Sequence, residues 1–145
     1  MAQSRARKSR HCGRLTALAL AAVGILGVEA AAGTVTAASC SRDHVLSAIG
    51  AASNGDTVIV PAGTCAWAMP LVFSKGIVLQ GAGVGITVIS ATSGTHVISY
   101  QPDASARAAN TLMRITGFTF DALNSRSYGV LVVNHSATPV SRVRI

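Results

Sequence analysis

Acid–base chemistry in this chain depends on a few side chains in its C-terminal third. Asp121 follows the run "GFTF", and the pair Asn134-His135 follows "GVLVV". We take Asp121 and His135 as the candidate catalytic residues. A glycosidase needs a second carboxylate about 5–10 Å from the first, but Asp56 and Asp103 both lie in sequence typical of turns. The sequence therefore offers Asp121 no evident carboxylate partner.

An amide and three arginines could hold an acidic substrate. Asn134, Arg142 and Arg144 are the candidate substrate-binding residues, and Arg114 is a further basic residue in the same third of the chain. A guanidinium group binds carboxylates well, whereas its pKa above about 12 makes it a poor base. Asn134 has a second interpretation, as the start of a ladder of stacked asparagines at a corner of the fold.

The stretch "KGIVLQGAGVGITVIS", residues 75–90, is either a phosphate-binding loop or a corner in a sheet. A dinucleotide loop has the pattern Gly-x-Gly-x-x-Gly and opens a helix. Here Ile86 takes the place of the third glycine, and the next residues, "TVI", favour a strand. We therefore predict a sharp corner between two short strands, where glycine adopts the required dihedral angles without steric cost. No Gly-x-Ser-x-Gly or His-Glu-x-x-His motif occurs.

Residues 1–38 have the organisation of a secretory signal peptide. A basic segment precedes the uncharged apolar run "LTALALAAVGILGV" at 15–28, and small residues follow. The apolar run has 14 residues, fewer than the ~20 that span a bilayer. We predict cleavage after Ala37 or Ala38 and a secreted, periplasmic or cell-surface protein with no membrane segment after cleavage. Two alternatives stay open, an uncleaved N-terminal anchor and lipid attachment at Cys40.

Removal of that peptide leaves a chain of low net charge. The whole sequence has a formal net charge of +7, but five of its basic residues lie in the predicted signal peptide. Residues 39–145 keep seven basic and four acidic residues, a net charge of +3. These charges are scattered, whereas nucleic-acid binding requires clustered basic residues. We therefore expect no nucleic-acid partner.

Cys40 and Cys65 are the two cysteines outside the predicted signal peptide. In an oxidising compartment an even pair favours a disulfide, which would close a loop of about 26 residues. Two cysteines without a histidine at a suitable spacing are a poor zinc site, because zinc takes four ligands. We therefore expect no metal there, and we predict that Trp67 packs against the disulfide or lines a cap.

One helix and many short strands are predicted for the exported part. Residues 42–53 have the helical spacing of apolar residues, with Ser41 as N-cap and Asn54 or Gly55 as the terminating residue. The expected apolar stripe consists of Val45, Leu46, Ile49 and Ala52. After Gly55, β-branched runs of four or five residues alternate with breaks that contain Gly, Pro, Asn, Asp or Ser.

These runs favour an all-β fold of the parallel β-helix type, in which each coil adds one strand to each sheet. Several of the runs recur at intervals of about ten residues without an Asn-Gly hairpin turn between them. The runs "TVIV", "GIVL" and "GVLVV" are nearly continuously apolar, as strands of buried parallel sheets are. A β-sandwich is the alternative, and it would show longer alternating strands and more hairpin turns.

The segment from Cys40 to Ile89 resembles the N-terminal part of right-handed parallel β-helix proteins of the pectin/pectate lyase-like superfamily. The matching runs are "VLSAIGAA", "NGDTVIVPAGTCAW" and "LVFSKGIVLQGAGVGITVIS". "MRITGFTFDA" at 113–122 is similar to the next coil, and the closing "SRVRI" to the start of a third. The resemblance implies about three coils in residues 39–145, with an N-terminal helix that caps the first.

Proteins of this superfamily usually have more coils, with acidic calcium ligands and basic catalytic residues on the middle ones. The resemblance therefore implies that residues 39–145 are the N-terminal part of a longer β-helix domain. It also places the catalytic residues, with any calcium, beyond Ile145. The implied function is an exported lyase or hydrolase that acts on or binds polysaccharide. The alternative is a surface adhesin, or a carbohydrate-binding or structural module of the same fold without catalytic activity.

Overall fold

The structure is a computed structural model, and it describes residues 31–92, 96–122, 128–133 and 142–145. Within these ranges the chain is mostly β-strand, with two helices. In chain order the elements are β1 (Thr34–Thr36), α1 (Arg42–Ala51), β2 (Thr57–Val60), β3 (Gly63–Trp67), β4 (Leu71–Phe73), β5 (Val78–Gly81), β6 (Thr87–Ala91), β7 (His96–Tyr100), α2 (Ala104–Ala108), β8 (Met113–Thr116), β9 (Thr119–Ala122), β10 (Tyr128–Val132) and β11 (Val143–Arg144).

The strands form three parallel sheets through which the chain passes in turn. Sheet 1 has the order β1-β2-β5-β8-β11, sheet 2 the order β3-β6-β9, and sheet 3 the order β4-β7-β10. From β2 onward each described strand pairs in parallel with the third strand after it. This arrangement of stacked coils is compatible with a parallel β-helix. The alternative β-sandwich requires antiparallel sheets, whereas β2 and β5 pair in parallel.

Rows of apolar side chains, one above another in successive coils, form the core. In sheet 1, Val58 aligns with Leu79 and Leu79 with Ile115, and all three are buried. In β2, Val58 and Val60 are buried while Ile59 is half-buried, because successive side chains of a strand point to opposite faces. The runs "TVIV" and "GIVL", which we predicted to be buried throughout, instead have a half-buried residue next to buried ones, and in "GVLVV" Leu131 and Val132 are exposed. Each buried Val, Leu or Ile contributes roughly 1.5–3 kcal/mol.

The helix α1 lies against β1, β2 and β4, at one end of the stack. It ends at Ala51, two residues before the predicted end at 53. Gly55 has a φ of 94°, the left-handed conformation expected for one of the two terminating residues. The buried stripe consists of Val45, Ala48 and Ile49. The predicted inclusion of Leu46 is wrong, because a neighbour in sequence lies about 100° around the helix axis, and Leu46 is 36% exposed.

Side chains from other segments satisfy the ends of α1. Ser41 occupies the N-cap position, but its side chain makes no capping hydrogen bond, and Ser39 Oγ instead accepts the Ser41 N–H at 3.1 Å. At the other end Lys75 Nζ donates to three carbonyl oxygens, at 3.0, 2.7 and 2.5 Å, which belong to Ile49, Gly50 and Ala52. The last carbonyl groups of a helix have no partner within it and carry a negative partial charge. Lys75 thus anchors the helix to the loop before β5.

Cys40 and Cys65 form the predicted disulfide, with Cα atoms 5.8 Å apart and a sequence separation of 25. The bond joins the segment before α1 to β3. Trp67 Nε1 donates to the Cys40 carbonyl oxygen at 3.0 Å, and Trp67 is 2% exposed, so the predicted position of Trp67 beside the disulfide is confirmed. Because the Cys40 sulfur is in the disulfide, it is not free to carry a lipid.

The stretch "QGAGVG" forms the predicted corner, between β5 and β6. A Cβ atom on Gly81 would lie 2.2 Å from the Gly117 carbonyl oxygen, and a Cβ on Gly117 would lie 2.5 Å from the Gly81 carbonyl oxygen. Gly117 also has a φ of 75°. The Gly83 N–H donates to the Gly117 carbonyl oxygen at 3.1 Å. Backbones of successive coils therefore meet at this corner without room for side chains.

We expect the paired substitution Cys40→Ser and Cys65→Ser to lower the free energy of unfolding by about 3–4 kcal/mol, because the unfolded chain loses its loop constraint. Urea unfolding followed by circular dichroism measures the change. Reductant should shift the wild-type midpoint to that of the variant and leave the variant unchanged. Equal midpoints for the oxidised and reduced wild type would contradict this expectation.

We expect Gly117→Ala to lower the free energy of unfolding by about 2–5 kcal/mol, since it adds left-handed strain to overpacking. Gly85→Ala is the matched control, because Gly85 has a φ of 76° and a Cβ added there would meet no neighbouring atom within 4 Å. It should lose only about 1–2 kcal/mol. Equal losses, measured by urea unfolding, would show that the contact with Gly81 is unimportant.

Candidate functional site

Two arginine side chains lie next to each other on the outer face of sheet 1. Arg144 of β11 aligns with Arg114 of β8, and both residues are exposed. Neighbouring strands of a sheet are about 4.8 Å apart, so the two guanidinium groups project from adjacent coils at the same position along the strand. We call Arg114 and Arg144 the arginine row.

Successive side chains of a strand point to opposite faces of the sheet, and this explains why both arginines face outward. Arg114 lies between Met113 and Ile115, which are buried. Val143 aligns with Met113 and packs against the core. The next residue in each strand must therefore point to the opposite face. The repeated triplets Met-Arg-Ile and Val-Arg-Ile are a sequence signal from which this alignment could have been predicted.

Arg142 precedes β11 and contacts the loop before β8. Its Nη1 donates to the Asn110 carbonyl oxygen at 3.3 Å, and its own carbonyl oxygen accepts the Met113 N–H at 2.9 Å. The structure thus brings the predicted binding residues Arg142 and Arg144 to the same end of sheet 1. The third predicted binding residue, Asn134, lies outside the described residues, as does the catalytic candidate His135.

Acidic side chains do not balance the positive charge of this face. The strands of sheet 1 contain no Asp or Glu. In β5 the neutral Val78 aligns with Arg114, and two residues further along the strands Gln80 aligns with Thr116. Among the described residues the acids lie on α1, in the turn before β2, before α2 and on β9: Asp43, Asp56, Asp103 and Asp121. The face therefore presents only positive charge.

Asp121 is exposed on the outer face of sheet 2, where it aligns with Ser90. The described residues contain no group of three His, Cys, Asp or Glu side chains that could hold a metal ion, whereas calcium takes six to eight oxygen ligands. Any calcium therefore stays a prediction of the resemblance. Asp103 is a capping residue, as its turn sequence predicts, and accepts the Ala106 N–H at 2.8 Å.

The glycine corner is not a phosphate-binding loop. A phosphate cradle requires backbone N–H groups that are free to bind the anion. Here five such groups donate to oxygens of the protein itself, and they belong to Ala82, Gly83, Gly85, Ile86 and Thr87. A strand, β6, follows the corner, whereas a nucleotide-binding loop opens a helix. The predicted corner is therefore confirmed.

In the described part of the chain, two surface clefts are not lined by Arg114 or Arg144, although the second includes the neighbouring residues Ile115 and Ile145. One of 310 Å³ lies at the start of α1 beside Trp67 and Met69, where Arg42 already pairs with Asp43 at 3.1 Å. The other, of 260 Å³, is lined mainly by apolar residues, including Phe118 and Phe120, whose stacked rings have centroids 5.6 Å apart. In the first cleft the acid and the base bind each other, and the second cleft is lined by no titratable side chain.

The fold and the site define a mostly β protein of stacked parallel sheets with a basic strip on one outer face. Comparisons with protein-family models, with curated proteins and with solved structures find no match for this chain. The superfamily therefore stays a prediction from the motifs. Among the described residues, no helix combines the length and the apolar character that crossing a membrane requires.

Two carboxyl groups that bind backbone N–H groups have lowered pKa values. Hydrogen bonds from the N–H groups of Ser53 and Gly33 lower the pKa of Asp56. The Ala106 N–H, together with the Ser105 hydroxyl, lowers the pKa of Asp103. A carboxyl group whose pKa is lower in the folded state than in the unfolded state stabilises the fold at pH values above its unfolded-state pKa. That contribution is lost as the pH falls through the lowered folded-state value.

We expect the urea midpoint of the wild type to fall steadily between about pH 5 and pH 2, as these carboxylates take up protons. The variant with Asp56→Asn and Asp103→Asn should be less stable at pH 6 and should lose less stability on acidification. Asp43→Asn is the control, because it removes the same charge at a residue that makes neither of these N–H contacts, and the double variant should lose more stability at pH 6 than this control does. Parallel curves for the wild type and the double variant would contradict the assignment.

Proposed function

We propose that this chain is an exported protein of the right-handed parallel β-helix type, similar to the pectin/pectate lyase-like superfamily, that binds an acidic polysaccharide on the outer face of sheet 1. The observation that carries the proposal is the alignment of Arg144 with Arg114 on a sheet face without acidic residues. The organisation of residues 1–38 supports export. The stacked parallel sheets support the β-helix.

The chemistry of the arginine row is that of anion binding. A guanidinium group presents several N–H donors in a plane and binds a carboxylate through two parallel hydrogen bonds. Its high pKa makes it a poor proton acceptor, so these residues bind a uronic acid better than they would abstract its proton. The face therefore supports binding of the polymer, and catalysis requires residues that the resemblance places beyond Ile145.

The arginine row is unfavourable for a face with a purely structural role. Like charges directly opposite each other on neighbouring strands destabilise a sheet, and the strands of sheet 1 carry no acid that would relieve the repulsion between Arg114 and Arg144. An anionic ligand would relieve it. The repulsion between the two charges is thus an argument that the row binds a ligand.

The flat, open geometry favours an extended ligand over a small one. Each exposed ion pair contributes only about 0.2–1 kcal/mol, which is too little for tight binding of a single sugar. A polymer with a carboxylate on every unit presents many carboxylates at once, so its effective local concentration compensates for weak contacts. A surface adhesin or binding module needs no more than such a face, and this favours the non-catalytic alternative for the described residues.

We expect the exported wild-type protein to bind polygalacturonate and alginate, and Arg114→Gln and Arg144→Gln each to weaken binding about two- to fivefold. Affinity electrophoresis or calorimetry at low ionic strength measures the affinity. Raising the ionic strength should weaken wild-type binding, because the contacts are exposed charges. A neutral dextran of similar length should not bind.

Arg42→Gln is the matched control, because it removes the same charge at α1, at the other end of the stack. It should leave the affinity for the acidic polymers unchanged. Equal losses for Arg42→Gln and the two arginine-row variants would mean that only net charge matters. Unchanged binding in the variant with both row substitutions would overturn the proposal.

A further inference from the structure

The strand β1 belongs to the folded domain, although it lies within the predicted signal peptide. It pairs in parallel with β2, from Thr34 opposite Thr57 to Thr36 opposite Ile59. Ala37 is 3% exposed, and its N–H donates to the Ile59 carbonyl oxygen at 2.8 Å. Cleavage after Ala37 or Ala38 would remove this strand, leave the edge of β2 without a partner and uncover part of the core.

Gly33 makes hydrogen bonds to the turn before β2 and to β2 itself. The Gly33 N–H donates to Asp56 Oδ1 at 2.7 Å, and its carbonyl oxygen accepts the Thr57 N–H at 2.8 Å. A Cβ atom on this residue would lie 3.2 Å from Asp56 Oδ1, so glycine lets the backbone come close to the carboxylate. The two preceding residues, Ala31 and Ala32, are exposed and lie outside any strand.

We infer that the signal peptidase of the exporting cell cleaves between Ala32 and Gly33, and that the new amino group of Gly33 forms an ion pair with Asp56. The inference rests on the export that we propose above. Ala30 and Ala32 supply the small residues that such a peptidase requires at the third and first positions before the cut. They lie two and four residues after the apolar segment that ends at residue 28. A cut after Ala37 or Ala38 would lie much further from that segment.

The cleavage is a hydrolysis that leaves a charge where the precursor has a neutral amide. Water adds across the Ala32–Gly33 peptide bond, Ala32 leaves as a carboxylate, and the amine that stays on Gly33 takes up a proton. The nitrogen already lies 2.7 Å from Asp56 Oδ1. The other carboxylate oxygen accepts the Ser53 N–H at 2.7 Å, so the carboxylate is already oriented towards the new ammonium group.

The new contact holds the first strand on the stack more firmly than the precursor contact does. The precursor hydrogen bond is already charge-assisted, because its acceptor is a carboxylate, and cleavage adds the Coulomb attraction of a full positive charge on the donor nitrogen. The site is exposed, so salt screens part of the gain. Lys75 is a second cation whose charge acts on Asp56, and the ammonium of Gly33 adds to it.

The processing site is tested on the full chain, exported from a bacterial host. Intact mass and N-terminal sequencing of the exported protein should show a chain that starts at Gly33. Ala32→Leu should block processing, whereas Ala38→Leu, at an exposed position, should leave it unchanged. An exported chain that starts at Ala31, Ala38 or Ser39 overturns the inference and leaves the proposed export intact. A chain that stays unprocessed inside the cell overturns both.

The ion pair is tested on the processed protein by titration of its α-amino group, through reductive ¹³C-methylation and NMR. The Asp56 carboxylate should raise the pKa of this group above its ordinary value of about 8. Asp56→Asn should return the pKa towards that value, and Asp103→Asn, which leaves the contact in place, should not. The same amino pKa in the wild type and in Asp56→Asn overturns the ion pair, whatever the glycan-binding experiment shows.

Discussion

The contact between Gly81 and Gly117 fixes how successive coils lie on each other. With a Cβ on either residue only 2.2–2.5 Å from the opposite carbonyl oxygen, the coils approach this closely at glycine alone. In the strand before the corner, Gln80 aligns with Thr116 in sheet 1, and in the strand after the corner, Val88 aligns with Thr119 in sheet 2. Both sheets thus take their register from one corner. A slip of one residue would turn Arg114 into the core, so the arginine row depends on this contact.

A stack of parallel strands also needs a closed end, because unpaired strand edges and bare core invite association with other chains. Here apolar packing, a disulfide and hydrogen bonds together hold the helix α1 over the first coil. The apolar stripe of α1 covers the first coil, the Cys40–Cys65 bond joins the helix start to β3, and Lys75 binds the helix end. Each contact crosses between segments distant in sequence, so helix and first coil hold each other in place although α1 has only ten residues.

Local chemistry made part of this structure predictable. The β-branched runs predict the strands and the glycines predict the corner, because these features depend on residues close together in sequence. The cysteine pair predicts the disulfide, because an oxidising compartment favours one. The end of α1 and the exposure of Leu46 were missed, since they depend on which face meets β1, β2 and β4. The strand β1 was missed because its small residues also suit a cleavage region. The alignment of Arg114 with Arg144 was missed because it depends on coil length, which differs between coils: Arg114 lies 36 residues after its partner Val78, and Arg144 lies 30 residues after Arg114.

Inward-facing and outward-facing side chains of the sheets are subject to different constraints. Inward positions such as Leu79 and Ile115 must match their neighbours in the coils above and below, because the core is close-packed. Outward positions have no such neighbours to satisfy, so packing does not select arginine at 114 or 144 and tolerates many other residues there. Two like charges placed together on this unconstrained face, at a cost to the sheet, are therefore the observation on which our proposal of an anionic ligand rests. The acidic polysaccharide that we propose as the ligand of sheet 1 has the charge and the extended shape that match that row.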